Sequence, residues 1–337
     1  MILAGDLGGT NARLALFSPD GKRVIREETI PSRDYARPED VVRAFLGRKP
    51  PRIRAATFGI AGPVIRGRVR TTNLPWVLDE RALSRKLGIP RVTLINDLVA
   101  LGLGALAAPK KKLLRIQGDT LPKKAGATVA VIAAGTGLGE CALVWESAHL
   151  RAGGGRGGGH FVALGTEGGH TDFAPRDKLE TELREFLARR FRDHVSYERV
   201  VSGPGIGHLY DFFHQAKKHR ETAERAGAIA AAKDRNAKIC ELGVSGASLP
   251  AKRAIELFLR VYGAEAGNLA LKSLSTGGVY VAGGIAASLA SRFTDEFLPS
   301  FVGKGRMRHL LEEIPVAVVL DSKIGLAGAA YHAASQA

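Results

Sequence analysis

The stretch GDLGGTNARLALF (5–17) returns in outline as AAGTGLGECALVW (133–145): an apolar strand, a turn of glycines with one threonine, then a second apolar strand. Two such hairpins more than a hundred residues apart point to an internally duplicated fold, each half opening on its own hairpin. The glycines of the first hairpin admit three readings: a dinucleotide fingerprint, a phosphate cradle of another kind, or a tight β-turn. A dinucleotide fingerprint places G-x-G-x-x-G between a strand and a helix. Here Gly5, Gly8 and Gly9 are followed by Ala12, Leu14 and Leu16 alternating with Arg13 and Ala15, which reads as a second strand.

The rest of the chain alternates strands with helices, an α/β layout. Strands are expected at 2–7, 12–17, 56–64 and 91–97 in the first third, with helices at about 38–48 and 80–87. Asp79 and Gly88 supply the N-cap and C-cap of the second helix, and Pro90 lies just beyond. After the second hairpin come helices at about 176–192, 204–216, 222–240 and 250–273, a strand at 278–285 ending in two glycines, a strand at 316–320 and a closing Ala-rich helix. Leu179, Leu183, Phe186, Leu187 and Phe191 share one face of the first of these helices. The run RAGGGRGGGHF (151–161) reads as a flexible low-complexity loop.

With 337 residues, 45% apolar and 24% charged, the chain has the composition of a globular protein of two unequal domains. The first residues carry neither a signal peptide nor a membrane span, which places the protein in the cytoplasm with no membrane partner. Cys141 and Cys240 read as buried free thiols. The net charge of +16 would suit a polyanion. The basic residues are nevertheless spread along the chain without interleaved aromatics, so a solvated basic surface is expected rather than a nucleic-acid site.

Several motifs carry chemistry, each with a plainer alternative. In the first turn Gly8, Gly9 and Thr10 bring backbone N–H groups and a hydroxyl toward an anion, while Asp6 on the preceding strand can face a hydrated cation; the alternative is an ordinary hairpin turn. Gly135, Thr136 and Gly137 offer a second cradle with no acid matching Asp6, and two cradles can share the phosphates of one nucleotide. Gly283 and Gly284 close a strand where a flat base can lie on the backbone, or where the chain simply packs. Asn96 and Asp97 end a buried strand before an apolar helix. They either cap that helix or place a carboxylate where α/β sheets bind ligands, able to take a proton from an attacking alcohol. GTEGGHTDFAP (165–175) sets Glu167 and His170 around two glycines; zinc lacks further ligands there, and polyol recognition is set against plain loop structure. Glu198 precedes a Gly-Pro-Gly turn and can also be first-turn charge on a helix capped by Ser196.

Together GDLGGTNARLAL, TTNLPW, LINDLVALGLGA, AAGTGLG, TEGGHTDFAP, VSYERVVSGPG and VAGGI resemble, in order and approximate spacing, the bacterial ATP-dependent glucokinase family of the sugar kinase, Hsp70 and actin superfamily, over residues 2 to about 332. The resemblance implies a duplicated ribonuclease-H-like fold of the actin/hexokinase type, with a small α/β domain (1–115 plus 320–337) and a larger α+β domain (116–319) around a cleft. It implies ATP and Mg2+ as cofactors, D-glucose as substrate, glucose 6-phosphate as product and a homodimer. Asp97 matches the catalytic base; Asn73, Asn96, Glu167, His170 and Glu198 match sugar ligands. Asp6, Gly8, Gly9, Thr10 and Asn11 match the first phosphate loop with its Mg2+-associated aspartate, Gly135, Thr136 and Gly137 the second, and Gly283 and Gly284 the nucleoside pocket.

The Gly/Arg run and the basic stretch around 216–238 depart from the family pattern and leave the phosphoryl donor open between ATP and polyphosphate. A sugar-sensing regulator of the related ROK group would need a helix-turn-helix domain ahead of the first phosphate loop, which begins here at residue 5. A filament or chaperone ATPase would have no use for the Asn96-Asp97 and Glu167-His170 constellation.

Overall fold

A computed structural model describes residues 1–71, 74–118, 126–146, 160–192, 194–321 and 323–336. By contact density the chain forms two compact units, one of Met1–Lys112, Cys141–Gly165 and Asp321–Ala337, the other of Leu113–Glu140 and Thr166–Leu320.

The first unit holds strands β1 (Ile2–Leu7), β2 (Asn11–Phe17), β3 (Val24–Pro31), β4 (Ala55–Ile60), β5 (Arg68–Arg70), β6 (Val77–Asp79) and β7 (Arg91–Asn96). Its helices are α1 (Pro38–Leu46), α2 (Glu80–Leu87), α3 (Asp97–Ala107) and, from the chain's end, the helix Ile324–Gln336. The main sheet runs β3-β2-β1-β4-β7; β1 is antiparallel to β2 and parallel to β4, and β4 is parallel to β7. Side chains alternate across β1, so Leu3 and Leu7 join a core with Phe45, Phe58 and Trp76, while Ile2 and Ala4 join another with Ala329 and Ala330. The second face is lined by small residues because two helices press on it. A methyl group on Gly328 would strike the backbone of Ala100 and Gly104, so the final helix rests directly on α3 and fixes the end that begins at Asp97.

The second sheet repeats that order. Strands β8 (Leu113–Gln117), β9 (Val129–Ala134), β10 (Leu138–Glu146), β11 (His160–Thr166), β12 (Val279–Ala282) and β13 (Val316–Val319) run β11-β10-β9-β12-β13-β8. Thus β11-β10-β9-β12-β13 retraces β3-β2-β1-β4-β7, and β8 adds an antiparallel edge on β13. β9, β12 and β13 are parallel and buried throughout, as strands covered on both faces must be. The helices of this unit are α4 (Lys178–Arg190), α5 (Gly203–Asp211), α6 (Ala223–Ala231), α7 (Arg235–Val244), α8 (Leu249–Lys272), α9 (Gly284–Ser288), α10 (Leu298–Val302) and α11 (Arg308–Glu313), which makes the C-terminal helix α12.

Four expectations need correction. The hairpin arm 141–165 belongs to the first unit, because β10 and β11 lean on α3: Cys141 Sγ donates to the Leu98 carbonyl at 3.3 Å. The helix expected at 222–240 is two, since Ala232 turns extended and Asp234 starts α7 afresh by accepting from Ala237 N. Ser196 stands at the N-cap position but makes no side-chain cap bond, and Glu198 lies in a short 3-10 turn, Tyr197–Arg199. Cys240 is only half-buried. Of the run 151–161, residues 151–159 lie outside the described residues, and the remainder opens β11. Among the described residues no helix is long and apolar enough to cross a membrane.

Candidate active site

In the first unit the turn between β1 and β2 closes on itself. Gly8 N donates to the Asn11 carbonyl at 3.1 Å. Ser32 pins it from outside, its hydroxyl donating to the Gly8 carbonyl at 2.7 Å and its amide to the Thr10 carbonyl at 2.9 Å. The amides of Gly9 and Thr10 meet no acceptor among the described residues. Two successive unbonded N–H groups on a fixed turn form a concavity for an anion.

Asp6, one turn-length before them on β1, is paired in register with Arg13 on β2 and Gly59 on β4. Burial raises its pKa, and the charge of Arg13 opposes that rise. β7 ends at Asn96, whose side-chain oxygen accepts from Leu98 N at 2.9 Å while its amide donates to the Gly62 carbonyl at 3.2 Å. Asn96 is therefore the N-cap of α3. Asp97 is the first residue of the helix proper, its Oδ1 accepting from Leu98 N at 2.9 Å, where the helix dipole favours negative charge. Asp6 and Asp97 line one cavity of about 140 Å³ together with Gly5, Arg13, Gly59 and Lys323. Arg13 and Lys323 had no distinguishing signal in the sequence: one alternates along a strand, the other precedes a helix. Asn73 lies outside the described residues.

In the second unit the turn between β9 and β10 repeats the device. Gly135 N donates to the Gly137 carbonyl at 2.8 Å, and the amides of Thr136 and Gly137 meet no acceptor among the described residues. The segment 198–203 braces this turn: Leu138 N donates to Glu198 Oε2 at 3.1 Å, and Gly203 N to the Gly135 carbonyl at 2.7 Å. A side chain on Gly137 would collide with that carboxylate. Glu198 is thus engaged at the second turn.

Glu167 and His170 flank a 3-10 turn, Gly168–His170, with His170 Nε2 at 3.9 Å from Glu167 Oε2 and both side chains exposed. The turn lies so close to β10 that a methyl group on Gly169 would strike the Leu138 carbonyl. Gly283 has φ 92°, where a methyl group would strike the Ala134 carbonyl; at Gly284 that space is open. The opening belongs to a cavity of about 490 Å³ lined by Gly135, Thr136, Gly203, Asn236, Cys240 and Ser288 among others. That volume is in the range of small-ligand sites. Asn236 and Cys240 fell inside a stretch that read only as a basic helix, so the sequence offered no pointer to them.

The glucokinase family profile matches residues 3–336. The chain is 39% identical to the glucokinase of Nostoc sp. (strain PCC 7120) over 99% of each chain, and 37% identical to that of Chromobacterium violaceum over 98% of this chain and 89% of the relative. Among solved structures it is similar to the glucokinase of an Antarctic psychrotroph, 28% identical with a TM-score of 0.80 over 99% and 98% of the two chains. It shares the fold of a ROK family glucokinase from Streptomyces griseus, solved with glucose and AMPPNP, at 20% identity and a TM-score of 0.63 over 100% and 99%. The duplicated sheet is thus that of the actin/hexokinase-type sugar kinases.

Proposed function

Because this chain belongs to the glucokinase family, we propose that it transfers the terminal phosphoryl group of ATP to the 6-hydroxyl of D-glucose, with Asp97 taking the hydroxyl proton. The observation that carries the reading is the cavity shared by Asp97 and Asp6, with Arg13 and Lys323 on its wall. Phosphoryl transfer asks a protein for positioning and for compensation of charge rather than covalent chemistry. The amides of Gly9, Thr10, Thr136 and Gly137 hold phosphate oxygens, and the cavity beside Gly284 takes the nucleoside. Asn96, Glu167, His170, Glu198 and Asn73 hold sugar hydroxyls; for Asn96 and Glu198 this role adds to the bonds they already make to Leu98 and Leu138.

Asp6 fits a cation that arrives with the nucleotide. It is a single, half-buried carboxylate whose charged form burial disfavours, so a nearby cation restores that form. Among the described residues no group of three or more His, Cys, Asp or Glu could encage an ion. Mg2+ suits such a site because it keeps most of its water and is shared with phosphates, whose charge it neutralises when bound. The reading carries with it a cytoplasmic homodimer that feeds glycolysis.

The test is a coupled assay with glucose, mannose and glucosamine as acceptors and ATP or polyphosphate as donor. Glucose with ATP should be the preferred pair; turnover with polyphosphate alone would overturn the donor. Asp97→Ala should lower kcat by about 10²–10⁴-fold while glucose binding persists. Near-normal turnover in that variant would overturn the base.

A further inference from the structure

Glu140 is the acid of GTGLGEC, buried to 2% exposure on β10, and its Oε1 meets no partner among the described residues. Its Oε2 lies against Gly168, where any side chain would collide with it. Its main chain holds the same turn: Thr166 Oγ1 donates to the Glu140 carbonyl at 3.1 Å and accepts from Gly168 N at 3.2 Å. Glu140 therefore touches, through both side chain and backbone, the turn that presents Glu167 and His170.

Behind it lies α8. Glu265, fully buried, accepts from Asn268 Nδ2 at 2.7 Å and pairs with Lys272 Nζ at 3.4 Å. Asn268 also donates to the Tyr197 hydroxyl at 3.2 Å, one residue before Glu198. Lys304 donates to Asn268 Oδ1 at 2.5 Å. Two buried carboxyls, Glu140 and Glu265, thus lie within range of one another's charge and of the Lys272 ammonium. Glu265 has the ammonium and an amide to hold its charge; Glu140 has neither as a direct partner. Burial first, and the charge of Glu265 second, push Glu140 up to about 8, with Lys272 opposing.

We propose that Glu140 is a positioning residue for sugar binding: as an un-ionised acid packed beneath Gly168 it sets the height of Glu167 and His170, and losing its proton displaces the turn. A carboxylate formed there has no counter-ion in contact among the described residues, so the cheapest relief is for the turn above it to lift and admit water. The inference rests on Glu167 and His170 being sugar ligands, as proposed above.

The experiment is calorimetric glucose titration and steady-state kinetics of the full chain from pH 6.5 to 9, for wild type, Glu140→Gln and Glu140→Ala. Saturable glucose binding by wild type at pH 7 tests the underlying reading; without it, that reading fails first. Wild type should lose about tenfold in glucose affinity between pH 7 and 9, as expected for a group with a pKa near 8 that must be protonated. Glu140→Gln, which keeps the shape without the proton, should match wild type at pH 7 and stay flat to pH 9. Glu140→Ala should raise the glucose KM by about tenfold at pH 7 with the ATP KM unchanged within about twofold. A flat wild-type profile overturns the inference. So does an alkaline loss that persists in Glu140→Gln, which would belong to Lys304, itself lowered to about 8 mainly by burial. Equal rises in both KM values for Glu140→Ala would also overturn it, and if that variant fails to fold, the glutamine profile still decides.

Discussion

Tyr262→Phe isolates one hydroxyl that ties the turn after β9 to the turn after β12. The hydroxyl is fully buried, accepts from Ala134 N at 3.1 Å, and lies 3.3 Å from the Ile132 carbonyl and 3.4 Å from the Ala282 carbonyl. Ala134 and Ala282 are the last residues of β9 and β12, so the hydroxyl joins two strand ends just where the chain turns into Gly135 and Gly283. Burial drives its pKa far above the ordinary range, and it stays a donor at every working pH. Phenylalanine keeps the ring in its edge-on contacts with Phe258, Phe293 and Phe297, at 5.6, 6.1 and 5.5 Å between centroids, so the core loses only the oxygen. Removing the acceptor of a buried amide costs about 1–3 kcal/mol. That is about 5–150-fold in a local opening equilibrium. Hydrogen exchange read by mass spectrometry over 129–138 should accelerate by that factor, with a control peptide over 2–17 unchanged. The ATP KM should rise and the glucose KM should hold. Exchange at 129–138 within twofold of wild type would refute the reasoning, because it would mean that the amide does not need the hydroxyl.

Two further substitutions probe the remaining elements. Gly169→Ala sets a methyl group against the Leu138 backbone, with the carbonyl carbon 2.9 Å away; no rotamer relieves that contact, so the glucose KM should rise by about tenfold or more, and an unchanged value in the kinetic assay would refute the tight seating of the turn. Asn96→Ala removes the cap of α3 and the bond to Gly62, and should lower stability by about 1 kcal/mol in thermal unfolding followed by circular dichroism; a loss too small to measure would show that Asp97 alone satisfies the Leu98 amide.

What was legible in the sequence depended on short range. α2 is delimited by Asp79, which accepts from Ala82 N, and by Gly88 at φ 66°, and both signals sit in the sequence next to the helix they bound. The duplication was visible because each hairpin carries its own glycines. β3 was not visible: VIREETIP is exposed at all but one of its positions, and only pairing with β2 makes it a strand. α6 and α7 read as one helix because their alanines continue the pattern across the break; the cap at Asp234 outweighs it. The cavity beside Gly284 draws Gly203, Asn236, Cys240 and Ser288 from distant segments, none distinctive alone. Glu140 reads as an ordinary alternating residue of a strand, and nothing in the sequence around it signals that it is buried.

The two turns also bear on the duplication itself. Each spends its first glycine amide on closing the loop, and the next two amides meet no acceptor among the described residues, so one backbone pattern recurs in both copies. What differs is the flanking acid. In the first copy Asp6 stands on the strand before the turn, in register with Arg13. In the second, no acid precedes the turn in sequence; Glu198, whose carboxylate accepts from the Leu138 amide, serves as a brace. A second free carboxylate beside a polyphosphate would add repulsion unless a second cation came with it. On the proposed function, the first turn carries both a backbone cradle and an acid for a cation, and the second a backbone cradle alone.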